Sequence, residues 1–264
     1  MSIKDTYWVD MHWWIIKEVS LDKIWNEFKS IFAEVKWILL EKFSDLIHSA
    51  YIYGSVVTWK AIRQKSDLDI LIVLNTKDDT ILKEIFQISK ELSKKYKKTF
   101  REVWIEVSHL DEILSDEYGR WCFVKHLSVC FYWEDIWEIF NAFKPSTKVA
   151  KAFNWDFDKV LSSSLQKLKQ VNDEDQKKTV VSNLMRKIIR TWFSLVMDRE
   201  NSRTTDLHKS FEMFSKYYPN KSDDMKIALD YCNWLALPDI DVESYADNFC
   251  VRLASEVEKV LFLD

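Results

Sequence analysis

The stretch Tyr51–Leu74, YIYGSVVTWKAIRQKSDLDILIVL, constrains this chain more than any other. A β-favouring segment stops at Gly54-Ser55, and an Asp-x-Asp pair then opens the near-continuous apolar run LDILIVL. Such a run is the pattern of a strand buried on both faces, which needs helices to cover it. Period-two alternation puts Asp67, Asp69 and Leu71 on one face of that strand and Leu68, Ile70 and Ile72 on the other. An Asp-x-Asp alone is commonly a solvated strand end. Here both carboxylates project from a strand whose neighbour ends in Gly-Ser. Two like charges held that close repel, and stay ionised together when a cation lies between them. Oxygen donors and a hard divalent ion indicate Mg²⁺ shared with substrate phosphates. Gly54 lets the backbone approach a phosphate closely, while Ser55 and adjacent N–H groups can donate to it. A helix starting at Val56 would add its N-terminal dipole.

The rest of the chain reads as an α/β front half and an all-helical back half. Residues 21–49 repeat apolar positions at helical spacing, residues 51–53 and 68–74 read as strands, 80–96 as a helix and 99–108 as a third strand. Mixed signals follow to residue 143. Pro145-Ser146-Thr147 marks the boundary, giving domains 1–144 and 145–264. Helices are expected over 148–171, 177–199, 205–217, 222–235 and 241–262.

Composition excludes several classes. Net charge is -4, so no global field draws in nucleic acid or anionic lipid. No run approaches the ~18 apolar residues of a membrane span, and nothing at the start resembles a signal peptide. The four cysteines form no C-x-x-C pair, which argues against structural zinc and for a reduced, cytoplasmic setting. One count is unusual: two glycines against thirteen tryptophans, where average usage is roughly 7% glycine.

Gly54-Ser55, the spacer and Ser66-Asp67-Leu68-Asp69-Ile70 resemble the signature of DNA-polymerase-β-like nucleotidyltransferases. Members carry a third carboxylate on a later strand. Glu106 in Ile105-Glu106-Val107 matches that position, with Glu102 on the same strand face as the fallback. The layout, a nucleotidyltransferase domain with a mixed sheet followed by a helical-bundle domain, is similar to the aminoglycoside adenylyltransferases. Lys125–Ile136, Lys187–Val196 and Thr204–Pro219 extend the likeness.

The resemblance implies adenylyl transfer from ATP to a hydroxyl of a small acceptor, first an aminoglycoside-like antibiotic. It implies two Mg²⁺ ions on Asp67, Asp69 and Glu106, with Glu106 also next to the acceptor proton. Gly54, Ser55 and Ser66 become nucleotide-binding positions, and Arg190 a triphosphate ligand from the helical domain. Glu134 and Asp135 are acidic candidates for a polycationic drug. The expected protein is a monomer or homodimer, without nucleic-acid or membrane partners. Two other readings stand beside this one: a toxin-antitoxin type nucleotidyltransferase acting on protein or tRNA, and an inactive nucleotide-binding module. Arg203 and His208 fit an Arg-x4-His ribonuclease pattern, in a segment the first reading already accounts for.

The chain departs from the family pattern at three tryptophans. Trp59 or its neighbour, Trp133 and Trp192 stand where members commonly have glycine. Either aromatic bulk is accommodated there, or these residues stand for glycines written with a UGA codon that the source organism reads as glycine.

Overall fold

The computed structural model describes residues 8–233 and short pieces between 244 and 260. The helix expected over 241–262 lies mostly outside the described residues, as do the last two positions of the helix expected over 222–235. The chain divides into two compact units: residues 16–143, and residues 144–264 together with the first fifteen.

The first unit is built on a four-stranded mixed sheet of β1 (Ile47–Tyr53), β2 (Leu68–Leu74), β3 (Val103–His109) and β4 (Ser128–Trp133), in the order β3-β2-β1-β4. β2 and β3 run parallel, and β1 is antiparallel to both its neighbours. Helix α1 (Asn26–Phe43) buries Phe28, Val35, Leu39 and Phe43, a helical spacing. Helix α2 (Asp79–Lys95) links β2 to β3 and buries Ile81, Ile85, Ile88 and Leu92. Its start is set by Asp78, whose carboxylate accepts the Thr80 N–H at 2.7 Å, and lysines 94 and 95 close its last turn. These helices cover the sheet face carrying Ala50, Ile52, Leu68, Ile70 and Ile72. The short helices α3 (Leu110–Ser115) and α4 (Cys122–Leu127) and a 3-10 turn at 136–139 lie over the other face, against Tyr51, Leu71 and Val73.

Two sequence expectations change here. The helix expected to residue 49 ends at Phe43, and residues 47–50 belong to β1. Ser49 and Ala50 pair with both β2 and β4, so the edges of two strands satisfy their backbone groups while Ile47 and Ala50 become buried. The helix expected after Gly54-Ser55 is only a 3-10 turn, Ser55–Val57.

The second unit is helical: α5 (Thr147–Asn154), α6 (Phe157–Gln170), α7 (Glu174–Ser194), α8 (Met197–Glu200), α9 (Leu207–Tyr217) and α10 (Ser222–Asn233). α7 is its spine, with α6, α9 and α10 packed along it. It begins before residue 177 because Asp173 caps it, accepting the Gln176 N–H at 2.8 Å. The helix expected over 148–171 breaks after Asn154. That buried side chain donates to the Ala150 carbonyl and to Ser194 Oγ, and accepts from Thr191 Oγ1 at 2.7 Å, tying α5 to α7. Among the described residues, no helix is long and apolar enough to cross a membrane.

Candidate active site

The sheet register brings the sequence-predicted carboxylates to one face. Tyr53, the last residue of β1, pairs with Asp69 of β2, and Leu71 of β2 pairs with Glu106 of β3. Asp69 and Glu106 thus lie one alternation apart on adjacent parallel strands, and share their face with Tyr53. The Tyr53 hydroxyl donates to Glu106 Oε2 at 3.3 Å. Asp67 stands at the mouth of β2, where Arg101 donates from Nε to its Oδ1 at 2.9 Å and from its other arm to Oδ2. Arg120, from a π turn at 117–121, donates to Glu106 Oε1.

Gly54 follows β1 directly and is required twice over. Its φ of 77° is disfavoured for L side chains, and a Cβ there would stand 2.3 Å from Asp69 Oδ2. The strand end therefore lies against the Asp69 carboxylate, and only a residue without a side chain permits that approach. Ser55 opens the 3-10 turn that follows. Ser66 has a structural task, since its hydroxyl accepts the Ile62 N–H at 2.9 Å and closes the loop before Asp67.

The electrostatics are uneven. Asp69 is pushed up to about 7, first by burial and then by Asp67, with Glu102 and Glu106 adding and Arg101 opposing. A carboxyl that holds its proton this firmly marks a place where negative charge exceeds its local compensation. Tyr53 is pushed up as well, by burial and by Glu106 and Asp69. This excess suits a divalent cation on Asp67 and Asp69. Among the described residues, however, no three acidic, histidine or cysteine side chains are already disposed to hold one ion. Asp67 faces Arg101, and Glu106 faces Arg120 and Tyr53. To close a three-carboxylate site, Asp67 and Glu106 would each turn one oxygen to the metal and keep the other on Arg101 and Tyr53. No sequence motif marks Arg101, Arg120 or Tyr53 as site residues. Only the register, not spacing along the chain, brings them to the carboxylates.

The other candidates fall as follows. Arg190 is a solvent-accessible residue of α7 in the helical unit; surrounding protein and the nearby cations Arg186 and Arg203 push its pKa down. Asp135 caps the 3-10 turn at 136–139, accepting the Trp137 N–H at 3.3 Å, and interacts with Lys17 and Lys125, so its charge is largely engaged. Glu134 is exposed. Arg203 is buried, with its guanidinium 4.4 Å from the centre of the Phe153 ring. A depression lined by Asn75, Lys77, His109 and Asp111 lies at the opposite end of β2 from Asp67, away from these carboxylates.

Residues 36–115, from within α1 to the end of α3, match the family model Polymerase beta, Nucleotidyltransferase. The front unit carries a nucleotidyltransferase domain. No curated protein matches the chain. Among solved structures, the spectinomycin adenyltransferase AAD(9) from Enterococcus faecialis, crystallised with ATP and spectinomycin, is similar in fold. It shares 17% identity at a TM-score of 0.51, over 85% of this chain and 98% of that one. At that identity the likeness is one of fold, which in this chain is the nucleotidyltransferase domain followed by helices.

Proposed function

We propose that this nucleotidyltransferase moves AMP from ATP to a hydroxyl group of a small acceptor of the aminoglycoside or aminocyclitol kind. The observation that supports this most is the convergence of Asp67, Asp69 and Glu106 on one sheet face beside Gly54, whose missing side chain admits the Asp69 carboxylate. Asp67, Asp69 and Glu106 would hold two Mg²⁺ ions. When bound, Mg²⁺ orients the triphosphate and neutralises charge developing at the α-phosphate.

The protein's own groups do the rest. Gly54 and Ser55 bring N–H donors and a hydroxyl against the phosphates. Glu106 accepts the proton of the attacking hydroxyl, its other oxygen steadied by Tyr53. Arg120 holds Glu106 in place until substrate arrives. Ser66 contributes by holding the loop that presents Asp67.

The test is incubation with labelled ATP, Mg²⁺ and an acceptor panel that starts with spectinomycin, the ligand of the similar solved structure. Pyrophosphate release and a labelled small-molecule product are expected, and both should vanish in Asp67→Ala and Asp69→Ala. Label appearing on tRNA or protein instead would overturn the choice of acceptor. ATP binding indifferent to Asp67→Ala, with no turnover, would overturn the enzyme reading.

A further inference from the structure

Glycine is scarce in this chain, yet the backbone makes glycine-type turns. Among the described residues, six non-glycine residues have positive φ, and four of them are tryptophans: Trp8 at 55°, Trp13 at 67°, Trp59 at 60° and Trp133 at 62°. The other two are Gln64 and Asn201, and asparagine is the ordinary exception to the rule. A bulky side chain in this region is an outlier, and four of one residue type call for a cause.

Two of these turns have a known glycine grammar. After the 3-10 turn Ser55–Val57, the N–H groups of Thr58 and Lys60 both donate to the Ser55 carbonyl at 3.2 Å. The Lys60 bond is the six-to-one closure found in a Schellman ending, and Trp59, at φ 60°, occupies the left-handed position that glycine normally takes there. Around the Val9–Ile15 bridge, the Trp13 N–H donates to the Asp10 carbonyl at 3.0 Å and the Asp10 N–H to the Trp14 carbonyl at 2.9 Å. This is a three-residue hairpin loop, a type I turn followed by a left-handed residue, and glycine is the usual occupant at Trp13. Trp133 ends β4 at 70% exposure, and Trp59 is 58% exposed. Neither recovers in burial what its backbone loses. Tryptophan is normally among the more buried residues, yet eight of the twelve described here are exposed.

Trp192 behaves differently. It lies within α7, is buried, and meets Phe214 edge-on at 4.4 Å. Its helical backbone makes no demand for glycine.

We infer that Trp8, Trp13, Trp59 and Trp133 stand for glycine in the natural polypeptide, through a codon, UGA, that the source organism reads as glycine. The loop from Gly54-Ser55 to Asp67 then has a second glycine joint at position 59, and the turn after β4 gains one at 133. The inference rests on backbone geometry and does not depend on the proposed acceptor.

The gene and the protein test it separately. UGA is expected at all four codons; UGG at these codons overturns the inference. The protein carrying Trp8→Gly, Trp13→Gly, Trp59→Gly and Trp133→Gly together should melt higher than the tryptophan-bearing chain, on the order of 10 °C for four relieved residues. The matched four-alanine protein separates relief of φ from loss of exposed bulk, because alanine removes the indole but still meets the left-handed penalty. It should melt below the four-glycine protein. Equal melting of the two sinks the geometric argument whatever the codons are.

Discussion

Replacing Gly54 by alanine is the sharpest perturbation this fold offers. The new methyl would stand 2.3 Å from Asp69 Oδ2, and ordinary van der Waals contact begins near 3.4 Å. Asp69 or the strand end must therefore move by ~1 Å, a displacement that costs catalysis on the order of 10²-fold when it falls on a reacting geometry. Separately, φ of 77° with ψ of -154° is a combination essentially reserved for glycine, and holding alanine there costs about 1–3 kcal/mol. For a chain of this size that corresponds to a Tm drop of ~2–10 °C. A double-mutant cycle divides the two effects. In an Asp69→Ala background the steric partner is gone, so Gly54→Ala should lower Tm by the backbone share alone, less than in the parent. Calorimetry reads the four proteins, and pyrophosphate release reads the two that keep Asp69. Equal Tm losses in both backgrounds, or a Gly54→Ala protein with full turnover, would refute the close approach of Gly54 to Asp69.

Further predictions concern charge and packing. Asp69 has a folded pKa of about 7 against about 3.9 unfolded, so the folded state binds more protons between these values and stability falls as pH rises through them. In EDTA, the parent should lose about 2–3 kcal/mol more than Asp69→Asn between pH 5 and pH 8; parallel melting curves would contradict the buried-charge assignment. Arg101 grips both oxygens of Asp67, so Arg101→Gln should lower kcat/KM by about 10–100-fold, the cost of losing a ligand's orienting partner, and Asp67→Ala by more. If Arg101→Gln kinetics match the parent, Arg101 does not position Asp67. In the helical unit, Asn154→Ala removes three hydrogen bonds, two of which tie α5 to α7. It should cost about 2–3 kcal/mol, chiefly through the stranded Thr191 hydroxyl, with the loss visible in denaturant titration. An unchanged midpoint would mean those bonds exchange freely with water.

Much of this protein is legible in its sequence because the relevant forces are local or periodic. Seven consecutive residues, LDILIVL, specify a buried strand, and their alternation sets which face carries Asp67 and Asp69. Gly54 shows that a close approach is wanted. The spacing of Phe28, Val35 and Leu39, and the cap at Asp78, determine helices without help from distant residues. Other features depend on partners far along the chain. Residues 47–50 carry a helix-compatible pattern, yet they join the sheet because β2 and β4 offer backbone hydrogen bonds from both sides. Arg101 and Arg120 lie 34 and 14 residues from the carboxylates they hold, and only strand register and the π turn bring them there. The excess of tryptophan over glycine can be counted in the sequence. Which tryptophans occupy glycine's place is settled by the tertiary fold, because a backbone torsion takes its sign from the turn the chain must close.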